Sequence, residues 1–528
     1  SDAAISSSCE SKPVVQLARE LGLFSDEVES YGRSRAKIRL DALKRMEKQP
    51  NGKYVVVTGV TSSPLGEGKR TTALGLAQAL GAHLNTNAFA CVQKSSLETC
   101  FGARGPAVGG GYSQIIPLEE VSLSLPCSKE SIKLKMNIIQ HTDPRSAFSL
   151  QARMSSSLLP VDVMDTVKAY AHYETKLSEK DSFSLENEMM AVLSLSSSEE
   201  EMQHRLANII VATNKSGDPI TTEDLVSIGP LAMLLKEALK PVLMQTVEGT
   251  PVFLHTSPLV NVAQGGPSIL ADKMALKIVG SEGFVVTESG HGADVGLEKF
   301  FNIKCLYSGL QPDVLVMVAT IRTLKMQGGA PPIQAGLPLP KEYLQENLKQ
   351  LERGCCHMRR QVEKAQAFGL PVIVAVNKFS SDTDAELELV CGQARQAGAF
   401  DAVQCSSWSE GGAGALALAE TVQRAAKLPA CFKFLYDLQT PASDKLRTVA
   451  QKMYGLKDVK LSPKAKEKLA LYTKQGFENL PVCIAKTPLS LSNDPMMKGS
   501  STDFMLPITD IKANAGAGFL CCLTGSVS

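Results

Sequence analysis

Between Lys53 and Leu80 the chain reads KYVVVTGVTSSPLGEGKRTTALGLAQAL, and no other stretch constrains the fold as tightly. KYVVVTG is a β-branched apolar run of the kind that forms a strand buried on both faces. A glycine-rich turn follows, Ser63-Pro64-Leu65-Gly66-Glu67-Gly68-Lys69, and then Leu74, Leu76, Ala77 and Leu80 recur at helical spacing. Strand, glycine loop and helix in this order open a nucleotide-binding βα unit. Backbone N–H groups of the turn, the positive end of the helix and the Lys69 ammonium together make a pocket for polyphosphate. In the pattern G-x-x-x-x-G-K-[ST] the residue after lysine supplies a hydroxyl to magnesium. Here that residue is Arg70, and Thr71 and Thr72 fall one and two positions late as the candidate ligands.

Further apolar runs read as buried strands: IIVATN (209–214), PVFLH (251–255), GFVVTE (283–288), DVLVMVATI (313–321) and PVIVAVN (371–377). Helical stretches separate most of them, so the expected class is α/β, a P-loop NTPase-like large domain with a mostly parallel sheet covered on both faces. Residues 1–360 are assigned to this domain, 361–436 to a second α/β domain and 437–528 to a C-terminal accessory domain. Within the first, 129–200 is Ser-rich and offers no convincing strand. A second glycine cluster, from Phe101 to Tyr112, contains Gly102, Arg104, Gly109, Gly110 and Gly111. Glycine at that density serves either close backbone approach to a ligand or a tight irregular loop.

Fifty-five basic residues stand against 54 acidic ones, a net charge of +1, so bulk charge gives no reason to invoke nucleic acid or an anionic membrane. Any anionic ligand is recognised locally. Thirteen scattered cysteines without metal-ligand spacing suit a reducing interior, and no apolar run approaches the roughly 20 residues that span a bilayer. The expected location is intracellular, in the cytoplasm or the mitochondrial matrix. The first residue is not Met, which points to a natural N-terminus outside this sequence.

Longer segments carry a resemblance. GKYVVVTGVTSSPLGEGK, GGGYSQIIPLEE, EGTPVFLHTSPLVNVAQG, GFVVTESGHGADVGLEKFFNIKC, VATIRTLKMQGG and YTKQGFENLPVCIAKTPLSLS are together similar to formate–tetrahydrofolate ligase (formyltetrahydrofolate synthetase), as found in the synthetase portion of eukaryotic C1-tetrahydrofolate synthase. The resemblance implies ATP with magnesium, formate and tetrahydrofolate as small-molecule substrates, formyl phosphate as intermediate and 10-formyltetrahydrofolate as product. A monovalent cation and a homo-oligomer, such as a dimer, are implied by the family alone. Lys69 matches the phosphate-loop lysine, Phe379 and Trp408 match two aromatics that stack on folate, and His291 stands at a pterin-facing phenylalanine. Against the family pattern, 129–188 looks shortened and the C-terminus looks truncated.

Other departures fall at the reaction centre. Gln93 replaces the arginine that binds formyl phosphate, and an amide has neither the charge nor the fork of a guanidinium. Gln264 and Gln327 replace histidines, Ser128 ends a segment that has lost a histidine and an aspartate, and Arg104, Pro106 and Glu98 alter the glycine cluster. The expected function is ATP-dependent ligation of formate to tetrahydrofolate, with Lys69 and Gln93 at the catalytic centre and a lowered rate. The alternative is an impaired catalyst of the same fold that binds nucleotide, folate or a competent relative. A guanine-nucleotide enzyme is disfavoured: Asn377-Lys378 lacks an aspartate two residues after the lysine.

Overall fold

The computed structural model describes residues 1–528 apart from 62–65, 95–107, 123–187, 215, 226–227, 257–262, 334–337, 430, 486–504 and 525–528. Ser63, Pro64, Leu65, Gly102 and Arg104, with Glu98, Pro106 and Ser128, therefore lie outside the described residues.

Twelve strands among the described residues join in one sheet. The first six in chain order are β1 (Val28–Ser30), β2 (Ala36–Ile38), β3 (Lys53–Gly59), β4 (Ala88–Val92), β5 (Gly109–Gly110) and β6 (Ser113–Ile116). A separate antiparallel pair follows, β7 (Ile210–Thr213) with β8 (Pro219–Thr221). The main sheet resumes with β9 (Val242–Thr246), β10 (Pro251–Leu254), β11 (Phe284–Gly292), β12 (Val314–Thr320), β13 (Val372–Asn377) and β14 (Asp401–Cys405). Its spatial order is β1-β2-β9-β10-β4-β11-β3-β12-β13-β14, with β5 and β6 attached beside β9. From β10 to β14 every neighbouring pair is parallel, whereas β1, β2 and β9 form an antiparallel margin.

The alternation of side chains shows why these runs carry so few polar residues. Tyr54 and Val56 of β3 face one apolar cluster and Val55 and Val57 the other; Leu315 and Met317 oppose Val314 and Val316 on β12 in the same way. Each fully buried Val or Leu contributes about 1.5–3 kcal/mol, so a strand apolar on both faces is held at the centre of the sheet. Parallel pairing also puts the C-terminal ends of β11, β3, β12 and β13 on a single edge. There the turn at Gly66–Gly68 and Lys69 after it meet the Ser289–Gly292 end of β11 and Asn377 at the end of β13, in the usual ligand crevice of such sheets.

Two further segments leave or extend this sheet. The run 209–214 forms β7, but it pairs with β8 outside the main sheet, because the Asn214–Asp218 turn folds the chain straight back into an antiparallel hairpin. The segment 361–436 contributes β13 and β14 to the main sheet, continuous with β12. Residues 437–528 build helices Ala442–Tyr454 and Pro463–Lys474 and two small sheets: β15 (Asp458–Leu461) with β17 (Met505–Ile508), and β16 (Val482–Ala485) beside β19 (Phe519–Leu523) and β18 (Asp510–Asn514). Leu446, Val449 and Leu520 pack into the same apolar cluster as Tyr54 and Val56. Among the described residues no helix is long and apolar enough to cross a membrane.

Candidate functional site

Two left-handed glycines shape the loop after β3, Gly66 at φ 75° and Gly68 at φ 71°. Gly68 immediately precedes helix Lys69–Gln78, and a Cβ on it would sit 2.8 Å from Asn377 Nδ2. That amide explains the close approach. Asn377, at the end of β13, donates through Nδ2 to the Glu67 carbonyl (2.9 Å) and accepts at Oδ1 from the Thr72 hydroxyl (2.9 Å). One side chain thus ties the loop to the first turn of its helix.

On the other side of the loop lies Glu288, midway along β11 and only 2% exposed. Arg70 binds it side-on: Nε lies 3.0 Å from Oε1 and 3.2 Å from Oε2, and a terminal nitrogen also reaches Oε1. The backbone N–H of Gln93 donates to the same Oε1 at 3.0 Å. Burial alone would push the Glu288 carboxyl up, but the attraction of Arg70 and Lys69 holds it below the usual carboxylate range. The Lys69 ammonium donates to the carbonyls of Ser289 and His291, the latter at 3.3 Å. Burial lowers its pKa to about 8, with Glu288 opposing and Arg70 adding to the fall. The Gln93 side chain accepts from the Gly266 N–H at 3.2 Å, so Gln93 bridges β4 to the turn after residue 262. In that turn Gln264 is wholly buried, and neither atom of its amide has a hydrogen-bond partner among the described residues.

Glu67, between the two glycines, turns inward and is 6% exposed. Burial raises its pKa to about 8, weakly opposed by Thr323 and Thr320 and reinforced by Asp294. At neutral pH Glu67 is mostly a neutral acid, so it adds little negative charge beneath the loop.

The residues expected to stack on folate occupy two places. Phe379 follows β13 beside Asn377, with the Arg322 guanidinium 3.8 Å from its ring centroid. His291 is exposed and holds a left-handed backbone, φ 50°, rare for a residue with a Cβ and the sort of strain that concentrates at binding sites. Trp408, 55% exposed, sits on the short helix Ser407–Glu410. Gly110 and Gly111 lie against it: a Cβ on Gly110 would come within 3.1 Å of the indole, and one on Gly111 within 1.9 Å of the Trp408 carbonyl. Tyr112 N–H donates to that carbonyl at 2.9 Å. These glycines, with Gly109 at φ 88°, therefore permit a packed junction behind the tryptophan. Helix Lys69–Gln78 links both places, since its Gly75 abuts Ser407 and its Gln78 donates to the Tyr112 carbonyl at 2.9 Å.

The hydroxyls proposed for magnesium do not suit it. Thr72 is wholly buried with its hydroxyl directed at Asn377 Oδ1 and the Gly68 carbonyl, 3.1 Å away. Thr71 is displaced from the position after Lys69 by one residue, roughly 100° around the helix. Among the described residues no group of three or more His, Cys, Asp or Glu is arranged to hold a metal.

Glu288, Asn377 and Glu248 were not singled out as site residues from the sequence. Glu248 accepts from Gly412 N–H (2.7 Å) and Gln78 (3.1 Å) and contacts His83 (2.9 Å), bracing the Trp408 turn. The available signal was a polar residue ending or following a buried run, as in GFVVTE and PVIVAVN.

The family described as formate–tetrahydrofolate ligase matches residues 1–528. The cytoplasmic C-1-tetrahydrofolate synthase of Homo sapiens is 48% identical over 593 aligned residues, and that of Mus musculus 49%, each match covering 100% of this chain and 63% of the relative. The human mitochondrial monofunctional C1-tetrahydrofolate synthase is 46% identical, with 100% of this chain and 60% of that protein covered. The chain thus spans less than two thirds of these relatives' length. An alignment of 593 positions for 528 residues also means that the human cytoplasmic relative carries stretches this chain lacks.

Proposed function

Because the chain belongs to the formate–tetrahydrofolate ligase family, we propose that it joins formate to tetrahydrofolate with ATP as phosphoryl donor. In the proposed reaction a formate oxygen attacks the γ-phosphorus and ADP leaves. N10 of tetrahydrofolate then attacks the formyl carbon and inorganic phosphate leaves, giving 10-formyltetrahydrofolate.

The observation that carries this reading is the pair of cations at the start of the helix after the glycine loop, Lys69 held by the Ser289 and His291 carbonyls and Arg70 held with the Gln93 N–H by Glu288. Donors fixed in advance around a transferring phosphoryl group are what that chemistry requires. In this assignment Gly66 to Thr71 hold the phosphates of ATP, and Lys69 faces the transferring group. Gln93 orients the acyl phosphate by hydrogen bonding, without the charge of an arginine, which lowers the rate. Phe379 and Trp408 clamp the pterin and benzoyl parts of folate, and His291 covers the remaining face.

The relatives bear cytoplasmic and mitochondrial names, and either compartment fits this chain. Assembly as a homo-oligomer belongs to the same reading, and sedimentation of the purified protein tests it. The activity is tested by supplying labelled formate, ATP and tetrahydrofolate. Label in 10-formyltetrahydrofolate with matching ADP supports the assignment, and none at saturating substrate contradicts it.

A further inference from the structure

We propose that the phosphate site of this chain binds its nucleoside triphosphate without a divalent cation, the Arg70–Glu288 pair standing where such loops otherwise supply a hydroxyl to the metal. This rests on the nucleotide-binding reading given above.

The argument begins with position. The residue after the loop lysine is the one whose hydroxyl meets magnesium in this motif, and here it is an arginine, whose side chain carries a guanidinium and no hydroxyl. A guanidinium held at that point repels a divalent cation. Nor can Arg70 be treated as a loose surface group, because it grips Glu288 side-on, at 3.0 and 3.2 Å through Nε. Glu288 is 2% exposed and also accepts from Gln93 N–H, so withdrawing Arg70 would leave a buried carboxylate short of its cation.

Of the two hydroxyls that follow the motif position, the second is engaged: Thr72 donates to Asn377 and the Gly68 carbonyl from a fully buried position. Asp294 accepts from Thr61 through Oδ2 at 3.2 Å, and its Oδ1 is buried. What the site offers a polyphosphate is the Lys69 ammonium, the Arg70 guanidinium and the N-terminus of a ten-residue helix. Each of these interacts most strongly with the full charge of the metal-free anion. A magnesium complex would present less charge to the cations and would gain no hydroxyl from the residue after Lys69.

The test is calorimetric titration of the purified chain with ATP in EDTA and, separately, with ATP in magnesium chloride. The two dissociation constants are expected to agree within about threefold, metal-free ATP in EDTA binding no more weakly than ATP with magnesium. Arg70→Ser removes the guanidinium and frees Glu288, and it is expected to bind ATP at least tenfold tighter with magnesium than without. Arg70→Lys, which keeps the charge, is expected to retain the wild-type indifference. A tenfold or greater magnesium preference in the wild type overturns the inference and leaves the nucleotide-binding reading intact. Absence of ATP binding in both buffers overturns both. If Arg70→Ser fails to fold, as circular dichroism would report, the wild-type comparison decides alone.

Discussion

Asn377 and Thr72 meet across 305 residues of chain, the Thr72 hydroxyl donating to Asn377 Oδ1 at 2.9 Å while Asn377 Nδ2 holds the Glu67 carbonyl. The end of β13 thereby fixes the loop between Gly66 and Gly68. Asn377→Asp keeps the acceptor for Thr72 but cannot donate to Glu67, and it sets a carboxylate against a carbonyl. Losing a buried partner costs about 1–3 kcal/mol, which corresponds to at least a several-fold weaker ATP affinity. Calorimetric titration checks this; unchanged affinity in a folded Asn377→Asp protein would show that the amide does not hold the loop.

Glu67 makes stability depend on pH. Its folded pKa of about 8 lies above the ordinary 4.5, so between those values the native chain holds a proton that the unfolded chain has released. Its contribution is therefore fully present below about pH 4.5 and is lost as pH rises through 8. Glu67→Gln removes this dependence. Urea melts are expected to show the variant gaining on the wild type from pH 5 to 8, by at most about 1.4 kcal/mol per pH unit. Parallel stability curves would count against a buried protonated Glu67.

Gly111 places Trp408. A Cβ there would lie 1.9 Å from the Trp408 carbonyl, and φ of 58° disfavours any side chain. Gly111→Ala is expected to destabilise the chain by about 1–3 kcal/mol and to displace the indole. Trp408 is the sole tryptophan, so its emission reports this directly. Tetrahydrofolate is expected to quench that emission in the wild type and to do so only weakly in a folded Gly111→Ala variant. Equal quenching in both would separate the glycine junction from folate binding.

Phe379 carries Arg322 on one face at 3.8 Å. Phe379→Leu retains apolar bulk but removes the ring, a loss of about 0.5–2 kcal/mol for the cation–π contact. The expected outcome is a lower melting temperature together with weaker tetrahydrofolate binding. A variant that loses stability but binds folate normally would leave Phe379 a purely structural role.

Gln264 has both amide atoms buried, with no partner among the described residues. Replacing it with leucine removes an unsatisfied polar group, so Gln264→Leu is expected to raise the melting temperature of the unliganded chain. A fall would mean that the amide is satisfied in solution.

Much of this arrangement could be read from the residues. β3, β11, β12 and β13 were legible because strands buried on both faces need long β-branched runs, and their parallel register follows from the helices between them. The loop at Gly66–Lys69 was legible because glycine and lysine at that spacing have few other uses. Local pattern could not reveal the partners. Arg70 and Glu288 are 218 residues apart, and nothing near either residue signals the other. The glycines at 109–111 read equally as a ligand loop or a tight turn, and only their approach to Trp408 showed what occupies the space a Cβ would need. The run at 209–214 had the composition of a central strand, but its position in the sheet depended on the turn that follows it.

The central claim is ligation itself, and one measurement meets it directly. Purified protein is incubated with ATP, formate and tetrahydrofolate in buffer containing magnesium, and 10-formyltetrahydrofolate is quantified. The account predicts product that requires all three substrates, disappears in Lys69→Ala and increases in Gln93→Arg. No product from folded protein that binds both ATP and tetrahydrofolate would contradict it.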